Sequence, residues 1–197
     1  MISTSIKEDL KKYKLKSRGG IYYKKIRQYF IYMHIGVTGM ENDIVRIRGY
    51  MKPYIIDDIF WGVFDMKSNS NDPIGLRANG AYKVDGFEDF YNDVKYGDVE
   101  SLRDVSKELI GKCYEDLEET VNHFKKFDEF LHFSKSSGKN QLYDYNLFDM
   151  LLLINARKYK EAKSIATNLI KKHEYGRFSN EGKNIYEYIV DYCNKHI

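Results

Sequence analysis

The residues best able to do chemistry are concentrated between Lys52 and Tyr82 (KPYIIDDIFWGVFDMKSNSNDPIGLRANGAY). This stretch holds the only tryptophan, Trp61, both prolines, the adjacent acids Asp57 and Asp58, and an isolated arginine, Arg77. Arg77 stands among apolar and small residues, which predicts partial burial, and a buried guanidinium requires a carboxylate partner. Asp57 and Asp58 are the nearest acids in sequence, so a structural ion pair is the first expectation. The second is a small-ligand or enzyme pocket around Asp58, Trp61 and Arg77, drawing on Asp57 and Asn79 and leaving the guanidinium open to an anion.

A different chemistry is suggested by Lys24, Arg46, Arg48 and Tyr50. Arg46, Arg48 and Tyr50 alternate along one run, DIVRIRGYMK, and so share a strand face. Lys24 and Tyr22 project from a neighbouring run. Cations neutralise phosphates and aromatic rings stack on unpaired bases, so a continuous patch of this kind would bind nucleic acid. No known nucleic-acid motif accompanies it.

Other chemistries find little support. The five histidines, His34, His123, His132, His173 and His196, form no HxxxH or HExxH, and no metal or cofactor is expected. There is no Walker motif, GxGxxG or GxSxG. Cys113 falls on an apolar helical stripe, where a thiol behaves as a small hydrophobe. Glu115, Asp116, Glu118 and Glu119 read as a solvated helix face. No catalytic residue is assigned, and the reading leans away from an enzyme.

The elements that must position these residues follow from pattern. The 197 residues are 43% hydrophobic and 31% charged, with 18 tyrosines, an ordinary globular composition with many half-polar rings for core edges and interfaces. No apolar run nears the roughly 20 residues needed to span a bilayer. The charged N-terminus lacks a signal core, and two distant cysteines suit a reducing, cytoplasmic setting. Charge is divided along the chain. Residues 1–52 carry 12 Lys/Arg against 4 Asp/Glu, residues 53–130 carry 9 against 18, and residues 131–197 carry 11 against 7. Basic and acidic parts that face each other would account for this, as would a basic face for an anionic partner.

A short amphipathic helix is predicted near 5–15, broken by SRGG. Strands follow at 21–27, 29–37 and 43–52, with a hairpin loop at TGMEN. A helix opens in IIDDIFWGVF, with Ile55, Ile59, Trp61 and Phe64 as core anchors. LRANGAY reads as a short strand or tight turn, and VDGFEDFYNDVKYGD as a loop with a helix near 87–95. Apolar residues stepping by three or four from Val99 to Phe127 predict one long helix or two in series over 98–133. After a linker, SKSSGKN, three helices are predicted near 142–155, 157–172 and 181–195. One helical pair resembles a repeat unit, but an array needs about three. The fold class is therefore α+β: a small antiparallel sheet of three to five strands packed on the N-terminal helix and a long helix, then a C-terminal helical bundle. The expected division is a sheet-containing part, 1–97, and a helical part, 98–197, packed as a single domain.

Over about the first 95 residues the chain resembles an uncharacterised bacterial α+β family, a domain of unknown function. The resemblance lies in a helix and lysine-rich turn leading into aromatic strands, LKKYKLKSRGGIYYKKIRQYFIYMHIGV, and in DDIFWGVF placed before the Leu-Arg-x-x-Gly-like LRANGAY. It implies an α+β fold and brings no established activity. The leading functional reading is a soluble bacterial binding or interaction module that engages a protein partner, one version being an accessory or toxin-neutralising protein. The ligand pocket and the basic strand face stand as alternatives. Partner identity and oligomeric state are not legible.

Overall fold

The computed structural model describes residues 7–38, 43–136 and 145–197. In chain order the elements are α1 (Lys7–Lys12), β1 (Lys16–Arg18), β2 (Ile21–Ile26), β3 (Tyr29–Thr38), β4 (Ile44–Pro53), α2 (Ile56–Val63), a 3-10 turn (Lys67–Asn71), α3 (Leu76–Asn79), β5 (Phe87–Lys95), α4 (Val99–His123), α5 (Phe127–Ser136), α6 (Tyr145–Asn155), α7 (Tyr159–Lys171), β6 (Ser179–Asn180), β7 (Lys183–Asn184) and α8 (Ile185–Asn194). The class is α+β, with an antiparallel sheet in the order β1-β2-β3-β4-β5 and a C-terminal helical region. The loop expected at TGMEN falls, after Thr38, outside the described residues, as does the end of SKSSGKN.

Three elements depart from expectation. Residues 87–95 form a strand, not a helix: pairing with β4 from Ile44 to Met51 outweighs the local turn-like composition. LRANGAY opens as the four-residue helix α3 instead of a strand or hairpin turn. Of the expected anchors in α2 and its flanks, Trp61 and Phe64 are buried but Ile55 is exposed, and Ile56, Phe60 and Val63 fill the apolar face instead. The long helical stretch divides into α4 and α5 at Phe124, whose extended backbone stops α4.

Close contacts divide the chain into two compact units, Met1–Pro53 with Gly86–Asn140, and Tyr54–Asp85 with Gln141–Ile197. The division expected at 97/98 is not the one these contacts draw. α4 belongs with the sheet, and the segment holding Trp61 and Arg77 belongs with the C-terminal helices.

In the first unit, strand alternation sends Val45, Ile47, Gly49 and Met51 to the inner face of the sheet, where α4 lies. Gly49 is the closest point. A Cβ built there would sit 2.6 Å from Cys113 Sγ and 3.0 Å from both Leu117 Cδ1 and Phe90 Cβ. The α4 stripe runs through Leu109, Cys113, Leu117 and Val121, all buried, while Val99 at its start is exposed. Asp98 caps α4 by accepting from the Ser101 N–H, and Ser101 reciprocates through its own side chain. Gly111 does not interrupt the helix; its bare Cα faces the Tyr13 hydroxyl, which a Cβ would meet at 3.0 Å. Beyond α4, Tyr29, Phe124, Phe130 and Phe133 form an aromatic cluster with centroid spacings of 5.3 to 5.7 Å.

In the second unit, α2, α6, α7 and α8 pack on one another. Phe60, Phe64, Phe178 and Tyr188 meet between them. Asn184 caps α8 in a reciprocal box with Glu187.

Gly49→Ala places a methyl 2.6 Å from the Cys113 sulfur, and overpacking of this kind costs about 1–3 kcal/mol. Denaturant unfolding should show that loss in Gly49→Ala and its partial recovery in Gly49→Ala/Cys113→Ala. An unchanged midpoint in the single variant would refute the close approach.

Candidate functional site

Arg77 projects from α3 and is 3% exposed. Its Nη2 donates to Asp58 Oδ1 at 2.6 Å, its Nη1 donates to the Tyr54 carbonyl at 2.9 Å, and Asp57 Oδ2 lies 3.7 Å from Nη1. The guanidinium carbon is 3.9 Å from the Tyr54 ring centroid and 4.9 Å from that of Trp61. Asp57, fully buried, also accepts the Val84 N–H at 2.9 Å, and the Trp61 indole N–H donates to the Tyr82 carbonyl at 2.7 Å. The carboxylates occupy the first turn of α2, where a helix favours negative charge.

Four of the five residues expected here do converge. The fifth, Asn79, is exposed at the end of α3. The ligand pocket required an open, unpaired guanidinium, and Arg77 is instead enclosed and bonded. The cluster fastens segment 54–84 onto itself within one unit.

The basic strand face divides differently from its expectation. Register pairs Lys24 with Ile31 and Ile31 with Met51, which puts Lys24 on the inner face. There it donates to the Tyr114 hydroxyl and lies 3.8 Å from Glu118 of α4. Arg46, Arg48 and Tyr50 point to the outer face. The reason is the two-residue turn Arg27–Gln28, closed by the Ile26–Tyr29 pair; it fixes the parity of β2 against β3, and a shift of one residue would reverse it.

The outer face is built in cross-strand rows. One runs Arg18, Ile21, His34, Arg48, Tyr91 across all five strands, and the next runs Lys16, Tyr23, Tyr32, Tyr50, Glu88. At the end near Phe30, Tyr32 and Lys52 the face is buried, whereas His34, Gly36, Arg46 and Tyr91 are exposed. Arg46 forks onto Asp93, with Nε to Oδ1 at 2.9 Å and Nη2 to Oδ2 at 2.7 Å. The Tyr91 hydroxyl donates to the same Asp93 Oδ2 at 3.0 Å. Arg46 and Arg48 both lie within cation–π range of the Tyr91 ring, at 5.8 and 5.3 Å. Arg48 Nη1 is 3.8 Å from Glu88. Tyr50 stacks on Tyr32 at 5.0 Å, with the His34 ring edge-on at 5.5 Å.

Electrostatics follow this geometry. Hydrogen bonding to Arg46 holds Asp93 below the ordinary carboxylate range, and the same bond raises Arg46. Burial, reinforced by Glu88, pushes the Tyr50 phenol up to about 12. Tyr91, Asp93 and Glu88 were not singled out from the sequence because their segment reads as a helix. The one usable signal was the alternation of aromatic and acidic residues in FEDFYNDVK.

Among the described residues no group of three or more His, Cys, Asp or Glu is placed to hold a metal ion, and no helix is long and apolar enough to cross a membrane. Cys113 is a free, buried thiol whose pKa is raised by burial, the opposite of what a nucleophile needs. In comparisons with known proteins the chain matches no family model, no curated protein and no solved structure.

Removing Arg77 alone would leave its carboxylates without their buried counter-charge, a loss of about 3–5 kcal/mol. Chemical unfolding of Arg77→Met should show it, and Arg77→Lys should remain destabilised because a single ammonium lacks the planar fork that reaches Asp58 and the Tyr54 carbonyl from separate nitrogens. Stability of either variant equal to the parent would contradict this role.

The raised phenol of Tyr50 contributes stability that is complete below the unfolded tyrosine value near pH 10 and is lost as pH rises toward 12. In tyrosine-labelled NMR titrations, Glu88→Gln should lower the Tyr50 midpoint. An unmoved midpoint would assign the whole shift to burial.

Proposed function

We propose that the protein is a non-enzymatic binding module that engages a protein partner through the exposed part of the outer face of the five-stranded sheet, around Tyr91. The observation that carries this reading is Tyr91, 49% exposed, with Arg46 and Arg48 set around its ring and Asp93 holding both Arg46 and the phenol. Tyrosine and arginine are the residues most often energetically dominant at protein interfaces. Their ordering here is already accomplished by strand geometry and cross-strand bonds, which lowers the entropy cost of association.

The carboxylates also decide between partners. Asp93 and Glu88 offset the two guanidinium charges, and Lys24 faces the opposite side, so the continuous phosphate footprint expected for Lys24, Arg46, Arg48 and Tyr50 is reduced on this surface. Two buried free thiols support a reducing, cytoplasmic setting. The likeness to an uncharacterised bacterial α+β family remains part of this proposal and supplies no activity to it.

The test begins with affinity capture of a partner and proceeds to calorimetry with the purified pair. Tyr91→Ala and Arg48→Ala should each weaken binding about 30-fold or more, in the range of an interface hot spot, while thermal unfolding stays close to the parent. Equal affinity in both variants, or a screen that yields only small metabolites, would overturn the proposal.

A further inference from the structure

The most one-signed surface of the second unit lies on α7 and its flanks. Residues 157–173 (RKYKEAKSIATNLIKKH) carry six Lys/Arg and a single acid, Glu161. Helical spacing puts Lys160, Ser164, Thr167 and Lys171 along one side of α7, opposite the buried Ala162, Ala166 and Leu169. Two adjoining shallow clefts follow this side. One, of about 420 Å³, is lined by Lys160, Lys163, Ser164, Thr167, Asn168 and Lys171 with Ile197. The other, of about 350 Å³, continues past the start of the helix along Arg157, Lys158, Tyr159, Glu161 and His196. Glu161 lies 3.8 Å from Lys158, so of the five lining cations, Arg157, Lys158, Lys160, Lys163 and Lys171, four are left without that offset.

We infer that this track binds single-stranded nucleic acid through its phosphate backbone, an activity separate from the sheet-face reading and in the other unit. The lining favours nucleic acid over an acidic protein. Between Lys160 and Lys171 it offers ammonium, hydroxyl and amide donors, which are the groups that contact phosphate oxygens. At about 1.5 Å per residue this stretch is about 16 Å long, enough for several nucleotides. At one end the exposed His196 ring stacks on Tyr192 at 4.3 Å and lies 5.2 Å from Tyr159, a platform of the kind on which an unpaired base stacks.

The experiment is fluorescence anisotropy of a labelled oligothymidylate of about ten nucleotides on the full chain. With four effective cations the slope of log affinity against log salt should be about −3, which is about a 50-fold loss between 50 and 200 mM. Lys160→Glu/Lys163→Glu/Lys171→Glu, at two exposed positions and the half-buried Lys163, should lower affinity at least tenfold, and the Gln triple variant, with thermal unfolding close to the parent, should flatten the slope by about 2. His196→Ala should cost about fivefold or more. Arg46→Glu/Arg48→Glu should leave oligonucleotide binding unchanged. No binding by the parent at 50 mM salt, unchanged affinity in the triple variants, or loss confined to the sheet-face variant would each overturn the inference. So would a polyglutamate peptide of matched charge binding equally well, which would assign the track to acidic proteins.

Discussion

The pairing of β5 along β4 is the constraint from which most of the first unit follows. β4 is a ten-residue strand with an alternating pattern, and without β5 its outward N–H and C=O groups would lie at an open edge. Once β5 occupies that edge, Phe87 and Phe90 join the inner face, where Phe90 lies beside Gly49 and so close to the sulfur of Cys113. The irregularity in register after Gly49 then sets the spacing of the acids on the outer side. Glu88 comes opposite Tyr50 and Asp93 opposite Arg46, so two arginines acquire counter-charges that no nearby sequence supplies.

Much of the fold was legible because its signals were local. The alternation in DIVRIRGYMK, the aromatic runs of β2 and β3, and the three-four stepping from Leu109 to Val121 each identify an element without reference to anything distant. Arg77 was legible for a related reason: a guanidinium among small apolar neighbours must find an acid, and Asp57 and Asp58 were the nearest choices. Phe87–Lys95 was opaque because it carries acids on both sides of the strand, and only its long-range partner decides its conformation. The place of Lys24 was hidden by the same kind of dependence. Period-two patterning tells which residues of one strand share a face, but the face itself is fixed by the turn at Arg27–Gln28 and by register to β3 and β4. The outer-face cluster was therefore half visible: Arg46, Arg48 and Tyr50 from one strand, with Tyr91, Asp93, Glu88 and His34 supplied by pairing.

The charge division along the chain acquires a physical meaning from these contacts. Within the first unit the basic strands meet acids contributed by α4 and β5, as Lys24 does with Glu118, Arg46 with Asp93 and Arg48 with Glu88. Such exposed or half-exposed pairs add little stability individually. Their effect is on orientation, since a forked arginine holds a nearby ring and carboxylate in a fixed arrangement. In the second unit the buried Asp57 and the half-buried Asp58 answer Arg77, while the lysines of α7 lie on a side of the helix with one acid among them.

Each unit also contains a single cysteine, Cys113 in the first and Cys193 in the second, both buried and both with thiol pKa values raised by burial. A thiol in that state reacts with an alkylating reagent only when its surroundings open. The chain thus carries one internal clock per unit. The order in which the two sulfurs become modified reports which unit opens first, without any label having been introduced.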